Sequence, residues 1–512
     1  MKTCNSKIKA PAFLGAALML LIALLFTACK QPASAEKPEP PAPPAPPKHA
    51  VTFSVEGTPP NGTLKAILGG SEITSGDKVE EGKWVIFTAK ADDGYRVKEW
   101  KLDGNAILGH KSNTYAHKVT KPAAITVSFE PSSVKLTLSP DKNTLKVKAK
   151  TKDGSAIKVE GCTVTELTSD VETTLTAIGT KVTLIGDIIE LNCRGEETPG
   201  GNRPLIALDV SGCTALQKLD CRFNNITELD VQGLTELQEL YCDSNKITAL
   251  DVHGLTKLEK LDCSGNRLTA LNVSGCTALK ELICYSNKEL TALNVQGLTE
   301  LQKLYCDSNK ITALDVSGCT ALKELICNDN KIPKLNVQGL TKLQQLKCGG
   351  NQLTALDVQG LTALKELYCN GNGLITLNVS GCTALQELYC EKNQLATLNV
   401  QGCASLQKLY CNGSEDHRYL SELNVQGCSA LKELRCYQNK LNADAFIKLF
   451  NDLPTREVSD GAEAVLYKDR TTYEDNCTDF TTPESLKKAF EDAKNIKHWK
   501  MQKMKGYIEE DI

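Results

Sequence analysis

The sequence predicts a mainly β protein: a solenoid of about twelve short coils, with a β-rich cap at its N-terminal end, an α/β cap at its C-terminal end, and a small all-β module in front. Three observations carry this reading. The first is a fixed beat. Cys221, Cys242, Cys263, Cys284, Cys306, Cys327, Cys348, Cys369, Cys390, Cys411 and Cys436 recur at a step of 21 residues, lengthened once near Lys288 and once within 413–420. The second is strict alternation before the beat begins, as in Val51-Thr-Phe53-Ser-Val55 and Ile125-Thr-Val127-Ser-Phe129, which is strand patterning. The third is that helical spacing after the beat appears only beyond Leu441.

Each beat repeats one phrase, such as Leu240-Tyr241-Cys242-Asp243-Ser244-Asn245 or Leu261-Asp262-Cys263-Ser264-Gly265-Asn266. Leu and Cys alternate across a short strand and point inward; the residue between them points out. One coil cannot bury its apolar side alone, whereas stacked coils can. The Asn of each phrase (Asn224, Asn245, Asn266, Asn287, Asn309, Asn330, Asn351, Asn372, Asn393, Asn439) stands where the chain turns, and its amide both donates and accepts, so it can satisfy buried turn backbone. Ser414 interrupts this series where the insertion begins, and a local loop is expected there.

The phrase L-x-x-L-x-C-x-x-N-x-[LI] resembles the leucine-rich repeat. The second half of the unit, as in Leu268-Thr-Ala-Leu271-Asn-Val273-Ser-Gly275-Cys276, half-repeats the first and is similar to the nested bacterial IRREKO repeats. The resemblance implies a leucine-rich-repeat solenoid over 188–441, with 188–193 as a degenerate first repeat.

The segments before it read in order. Lys2, Lys7 and Lys9 precede an apolar run from Leu14 to Phe26, too short to span a membrane comfortably, so 1–28 is an export leader. It ends Phe26-Thr27-Ala28-Cys29, which resembles a bacterial lipobox and implies lipid attachment to Cys29 and a membrane anchor. Lys30 follows the Cys, with no Asp there, so retention at the inner membrane is not signalled and the outer membrane or cell surface is expected. Residues 29–48 carry the lipid Cys and a proline stalk able to reach about 50 Å. Residues 49–131 form the small β module, with turn signals at Pro59-Pro60-Asn61-Gly62, Gly69-Gly70 and Asp92-Asp93-Gly94. Its order Gly82-Lys-Trp84…Gly94-Tyr95…Trp100…Tyr115 resembles the divergent internalin B-repeat, and Trp84, Tyr95 and Trp100 are expected as core aromatics. Residues 132–187 form the β-rich N-cap. Residues 442–512 form the C-terminal cap, with helices over Ala443–Leu453 and from Pro483 to about Ile496 and a strand at Ala464–Tyr467.

Most of the 22 cysteines read as buried structural thiols, because eleven occupy the inward ladder site and Cys213, Cys276, Cys319, Cys382, Cys403 and Cys428 alternate with Leu at another; Cys477 lies outside both series. No C-x-x-C pair occurs and the six His are scattered, so neither a metal site nor a cofactor is expected. A net charge of −3 on a mixed surface argues against nucleic acid. No G-x-S-x-G, phosphate-loop or H-E-x-x-H motif occurs, so an enzyme is not expected.

The outward column between Leu and Cys is the candidate site. It holds five of the 13 tyrosines, Tyr241, Tyr305, Tyr368, Tyr389 and Tyr410, and ends on Arg435; Tyr285 and Tyr437 stand in the neighbouring outward column. Two readings compete. Tyr is a good strand former and stabilises a sheet by stacking. Tyr and Arg are also the residues that anchor protein interfaces. The layout is similar to internalin-like surface proteins, which implies a monomeric adhesin binding a host matrix or serum protein, or another bacterium's surface, through the concave face. A structural lipoprotein within the envelope is the alternative.

Overall fold

The computed structural model describes residues 45–92, 94–108, 110, 112–414, 416, 419–469 and 476–512. The expected export leader, the expected lipid site Cys29 and most of the proline stretch lie outside the described residues. Lys48–Ile512 forms one compact unit.

In the module the alternation builds two sheets. One has the order β4-β1-β9-β6-β7, from Lys78–Glu80, Lys48–Glu56, Ala123–Pro131, Tyr95–Leu102 and Asn105–Ala106. The other has the order β3-β2-β5-β8, from Ser71–Ile73, Gly62–Leu68, Trp84–Ala91 and Thr114–Lys118. Val51, Val85, Phe87, Val97, Trp100, Ile125 and Val127 fill the core between them. The expectation for Trp84 is corrected here. Trp84-Val-Ile-Phe87 is apolar at every position, so the phase of the strand cannot be read locally. Packing places Val85 and Phe87 inside, at 0% exposure, and leaves Trp84 at 57%. Trp100 is buried as expected, and Tyr95 is half-buried.

Only Ser132 separates the module from the cap strand β10 (Ser133–Leu138). The joint is packed rather than loose. Arg96 of β6, 5% exposed, pairs with Glu130 at 2.7 Å and donates to Ser211 Oγ of the first repeat at 3.2 Å.

The cap continues both strands of the first coil. Ile188–Asn192 lies parallel to Lys218–Asp220 on one side and antiparallel to Thr144–Thr151 on the other. Leu205–Asp209 pairs antiparallel with β10. The solenoid's N-terminal apolar end is thereby covered, as stacked repeats require.

Three-residue strands then pair parallel and in register, coil on coil, from Lys218–Asp220 to Glu433–Arg435. Most ladder Asn share one set of partners, with Asn309 shifted to accept from Asn287 N–H beside the one-residue insertion. Asn330 Nδ2 donates to the carbonyls of Cys306, Cys327 and Asn328, and its Oδ1 accepts from Ile311 N–H. The residue before each Asn lies in the left-handed region, as at Phe223, Ser244, Asp329 and Lys392, so the turn is the same whatever side chain it carries. On the far side of each coil a second polar series forms. Asp230, Asp251, Asn272, Asn294, Asp315, Asn336, Asp357 and their equivalents each accept the N–H two residues on. Residues 411–420 carry no strand among the described positions, at the insertion that Ser414 opens.

The ladder thiols from Cys221 to Cys411 are fully or almost fully buried and form no disulfide. The second thiol column explains the exchange of Leu for Cys: Cys276, Cys382 and Cys428 each fit a small apolar site and donate S–H to a valine carbonyl one coil back, at 3.1–3.2 Å. Burial pushes Cys276 and Cys319 up to about 11, and Cys348 and Cys382 up to about 12. Thiolate, the reactive form, is therefore scarce at neutral pH. Within Lys48–Ile512 the half-buried Cys477 should react first with a thiol reagent, and the ladder only after unfolding. Thiol counting with and without guanidinium checks this; ready native labelling of Cys327 would contradict it.

Past the last repeat, Glu463–Lys468 extends the long sheet in parallel, followed by Lys500–Lys505 and an antiparallel Ile508–Asp511. Helices α1 (Ala443–Asp452) and α2 (Glu484–Asn495) cover the coil end, burying Phe446, Leu449, Phe450, Leu486 and Ala489. Asn442 caps α1 by accepting from Ala445 N–H at 2.9 Å.

Candidate functional site: the outer face of the long sheet

An in-register parallel sheet sets equivalent side chains about 4.8 Å apart. That spacing matches the separation at which aromatic rings pair well. Consecutive coils that carry Tyr between Leu and Cys must therefore stack. Tyr368 and Tyr389 do so at 4.3 Å between centroids and 16° between planes, and Tyr389 meets Tyr410 edge-on at 4.8 Å. Both ends are closed by cations. Lys347 Nζ lies 4.7 Å from the Tyr368 ring centroid, and Arg435 Cζ 4.6 Å from that of Tyr410.

The polar edge of this stack is held as firmly. Tyr368 donates to Glu387 and Tyr410 to Glu433, each at 3.0 Å. Arg435 pairs with Glu509 of the C-terminal hairpin at 2.8 Å. Burial, reinforced by the carboxylate partners, holds the Tyr368 and Tyr410 hydroxyls well above their ordinary range, so they stay neutral donors. The four residues Tyr368, Tyr389, Tyr410 and Arg435 thus form one half-buried, preorganised surface.

The remaining candidates stand apart. Tyr305, between Ile283 and Ile326, donates to Glu324. Tyr285 is exposed and Tyr437 half-buried in the next column, and neither joins the stack. Tyr241 sits with Lys218 Nζ at 5.6 Å and Arg222 Cζ at 5.1 Å from its ring, and donates to Glu239 at 3.3 Å.

Around Tyr241 is a charged group that the sequence reading did not single out. Arg222 forks onto Asp220 at 3.0 and 2.8 Å and reaches Asp243 at only 3.7 Å. Asp262 accepts from Ser264 N and Oγ. One oxygen of buried Asp243 has no hydrogen-bond partner. Burial first, then the charge of Asp262, pushes the Asp243 carboxyl up to about 7. Lys347 and the three aspartates were legible in principle, since register assigns each to an outward column; charge at a repeat position, however, reads first as solvated surface. Among the described residues no group of three or more His, Cys, Asp or Glu is placed to hold a metal ion.

Comparison with known proteins bears on the same segments. No curated protein matches the chain. Among solved structures, the functional domain of InlJ from Listeria monocytogenes, described as including a cysteine ladder, is 29% identical over 57% of this chain and 76% of that one, with a TM-score of 0.37. The leucine-rich-repeat protein LIC12759 of Leptospira interrogans is 27% identical over 45% and 68%, with a TM-score of 0.38. YopM from Yersinia pestis is 20% identical over 45% and 68%, with a TM-score of 0.37. Residues 214–254 match the family model Leucine Rich repeats (2 copies), and residues 62–133 match the Divergent InlB B-repeat domain. The chain therefore carries leucine-rich repeats behind a divergent InlB B-repeat domain.

Proposed function

We propose that this is a cell-surface lipoprotein, anchored through Cys29 at the bacterial outer membrane or cell surface, that binds a protein ligand along the outer face of its long sheet. The ligand class is a host matrix or serum protein, or the surface of another bacterium. The observation that carries the reading is the Tyr368–Tyr389–Tyr410 stack closed by Lys347 and Arg435. Large amphipathic rings already fixed by their neighbours lose little freedom on binding, which is what makes Tyr an effective anchor. Contacts repeated along a rigid sheet add to one another.

A second reading, a scaffold within the envelope, draws support from the same stack. The Tyr368 and Tyr410 hydroxyls are already partnered by Glu387 and Glu433, so the stack stabilises the sheet without a ligand. Protease treatment of intact cells separates the two, with a periplasmic protein as control. Loss of the repeat region while the control survives is expected; protection until the outer layer is broken would sink surface adhesion. With a ligand selected from matrix and serum proteins, Tyr389→Ser should weaken binding about 30-fold and lower Tm by only about 2 °C. Unchanged affinity would move the binding site elsewhere.

A further inference from the structure

Outside the site just described, the most unusual surface is on the module. The sheet β3-β2-β5-β8 buries one face against the core and turns the other to solvent. An antiparallel sheet in this position ordinarily shows polar residues outward. Here Ile67 of β2 pairs with Ile86 of β5, which pairs with Ala116 of β8, making an apolar row across three strands. Trp84 stands beside it, two residues from Ile86 on the same face. Exposure is 57% for Trp84, 48% for Ile86 and 37% for Ile67. The core beneath is filled from the opposite face, by Ala66, Val85 and Phe87, each at 0% exposure.

The rim of this row is basic. Lys65, Lys90 and Lys118 point outward from the same three strands. The one acidic residue on the face, Glu72 of β3, is taken up by Lys65 at 3.2 Å. Lys90 and Lys118 make no ion pair among the described residues. A Trp beside aliphatic side chains, flanked by the unpaired ammonium groups of Lys90 and Lys118, matches the boundary of an anionic bilayer: the indole sits at headgroup depth, the aliphatic side chains reach the acyl boundary and the lysines meet phosphate.

We propose that this face is a docking surface for an anionic lipid bilayer. Its position in the chain supports that occupant. Cys29 stands 19 residues before Lys48, a reach of at most about 65 Å. The lipid attachment proposed above would hold the module within that distance, and the high local concentration would make a weak surface affinity sufficient. Because Arg96 ties the module to the first repeat, docking would also orient the solenoid.

The test uses the mature chain from position 29 with Cys29→Ser, which retains every described residue but cannot take lipid. Of the three Trp, Trp100 and Trp499 are buried at 0% and 1% exposure, so a change in emission reports Trp84. Phosphatidylglycerol vesicles should shift the emission to the blue and bind about tenfold more strongly than phosphatidylcholine vesicles, with the preference lost in high salt. Ile67→Ser with Ile86→Ser, with an unchanged far-UV circular dichroism spectrum as the control for folding, should cut co-sedimentation about tenfold. Tyr389→Ser should leave it unchanged, which separates this surface from the ligand site. No shift with anionic vesicles, or sedimentation indifferent to the double Ser variant, would overturn the proposal. So would a blue shift that grows with protein concentration without vesicles, which would assign the face to a second copy of the chain.

Discussion

Asn330→Ala should lower the free energy of unfolding by about 3–5 kcal/mol, read from guanidinium melts. The side chain is 8% exposed. Truncation removes the donor to the carbonyls of Cys306, Cys327 and Asn328 and the acceptor for Ile311 N–H. The bonds to Cys306, Cys327 and Ile311 are buried, so water does not readily replace the amide there, while the one to Asn328 is part-buried. Each orphaned group costs about 1–3 kcal/mol, and their geometry keeps the sum below the simple total. Because coils touch only their neighbours, the loss falls on one interface of the stack, and a split or broadened transition is expected. The control is Asn336→Ala, an exposed position whose side chain only accepts Gln338 N–H. A cost for Asn330 no larger than for Asn336 would remove the ladder as a main source of stability.

Asp243→Asn should stabilise the protein at pH 8 by about 2 kcal/mol and change little at pH 4. The carboxyl is buried, one oxygen lacks a partner, and Asp262 and Asp220 repel its charge, which Arg222 only partly offsets. Its folded value, about 7, lies above that of the unfolded chain. A raised group favours folding while protonated, and this contribution fades as pH climbs from about 4 towards 7. The shift corresponds to about 4 kcal/mol at most, and water at the rim of the site reduces this to about 2. The neutral amide removes the charge, so the wild-type decline between pH 4 and 8 should flatten in urea melts. An unchanged slope would place the titration elsewhere, with Asp262, which burial also raises, the next residue to replace.

Much of this was legible before the structure. The period of 21, the inward Leu and Cys and the turn Asn all follow from local geometry, because a strand alternates and a coil must turn at a fixed place. Register then aligns Tyr368, Tyr389, Tyr410 and Arg435 in a single column, which is why they meet. Their closure was less visible. Lys347 reads as one more solvated charge, and Glu509, which fixes Arg435, comes from a hairpin outside the repeat.

Three features depended on segments distant in the chain. Asn476, 40 residues past Cys436, donates to its carbonyl at 2.8 Å and to that of Leu466, so the cap finishes the Asn ladder from outside the period. Arg96 of the module reaches Ser211 across 115 residues. The outward turn of Trp84 was set by which apolar side of β5 found a partner sheet.

The repeat, its strands, its turns and the columns in which side chains stand follow from local sequence, since these depend on spacings of a few residues. Which columns became surfaces depends on the assembled fold: a Tyr stack closed by two cations, an aspartate cluster around Tyr241, and an apolar row on the module. Packing chooses which of two apolar faces is buried and which charges are brought together, and those choices are made by neighbours that local spacing does not reveal.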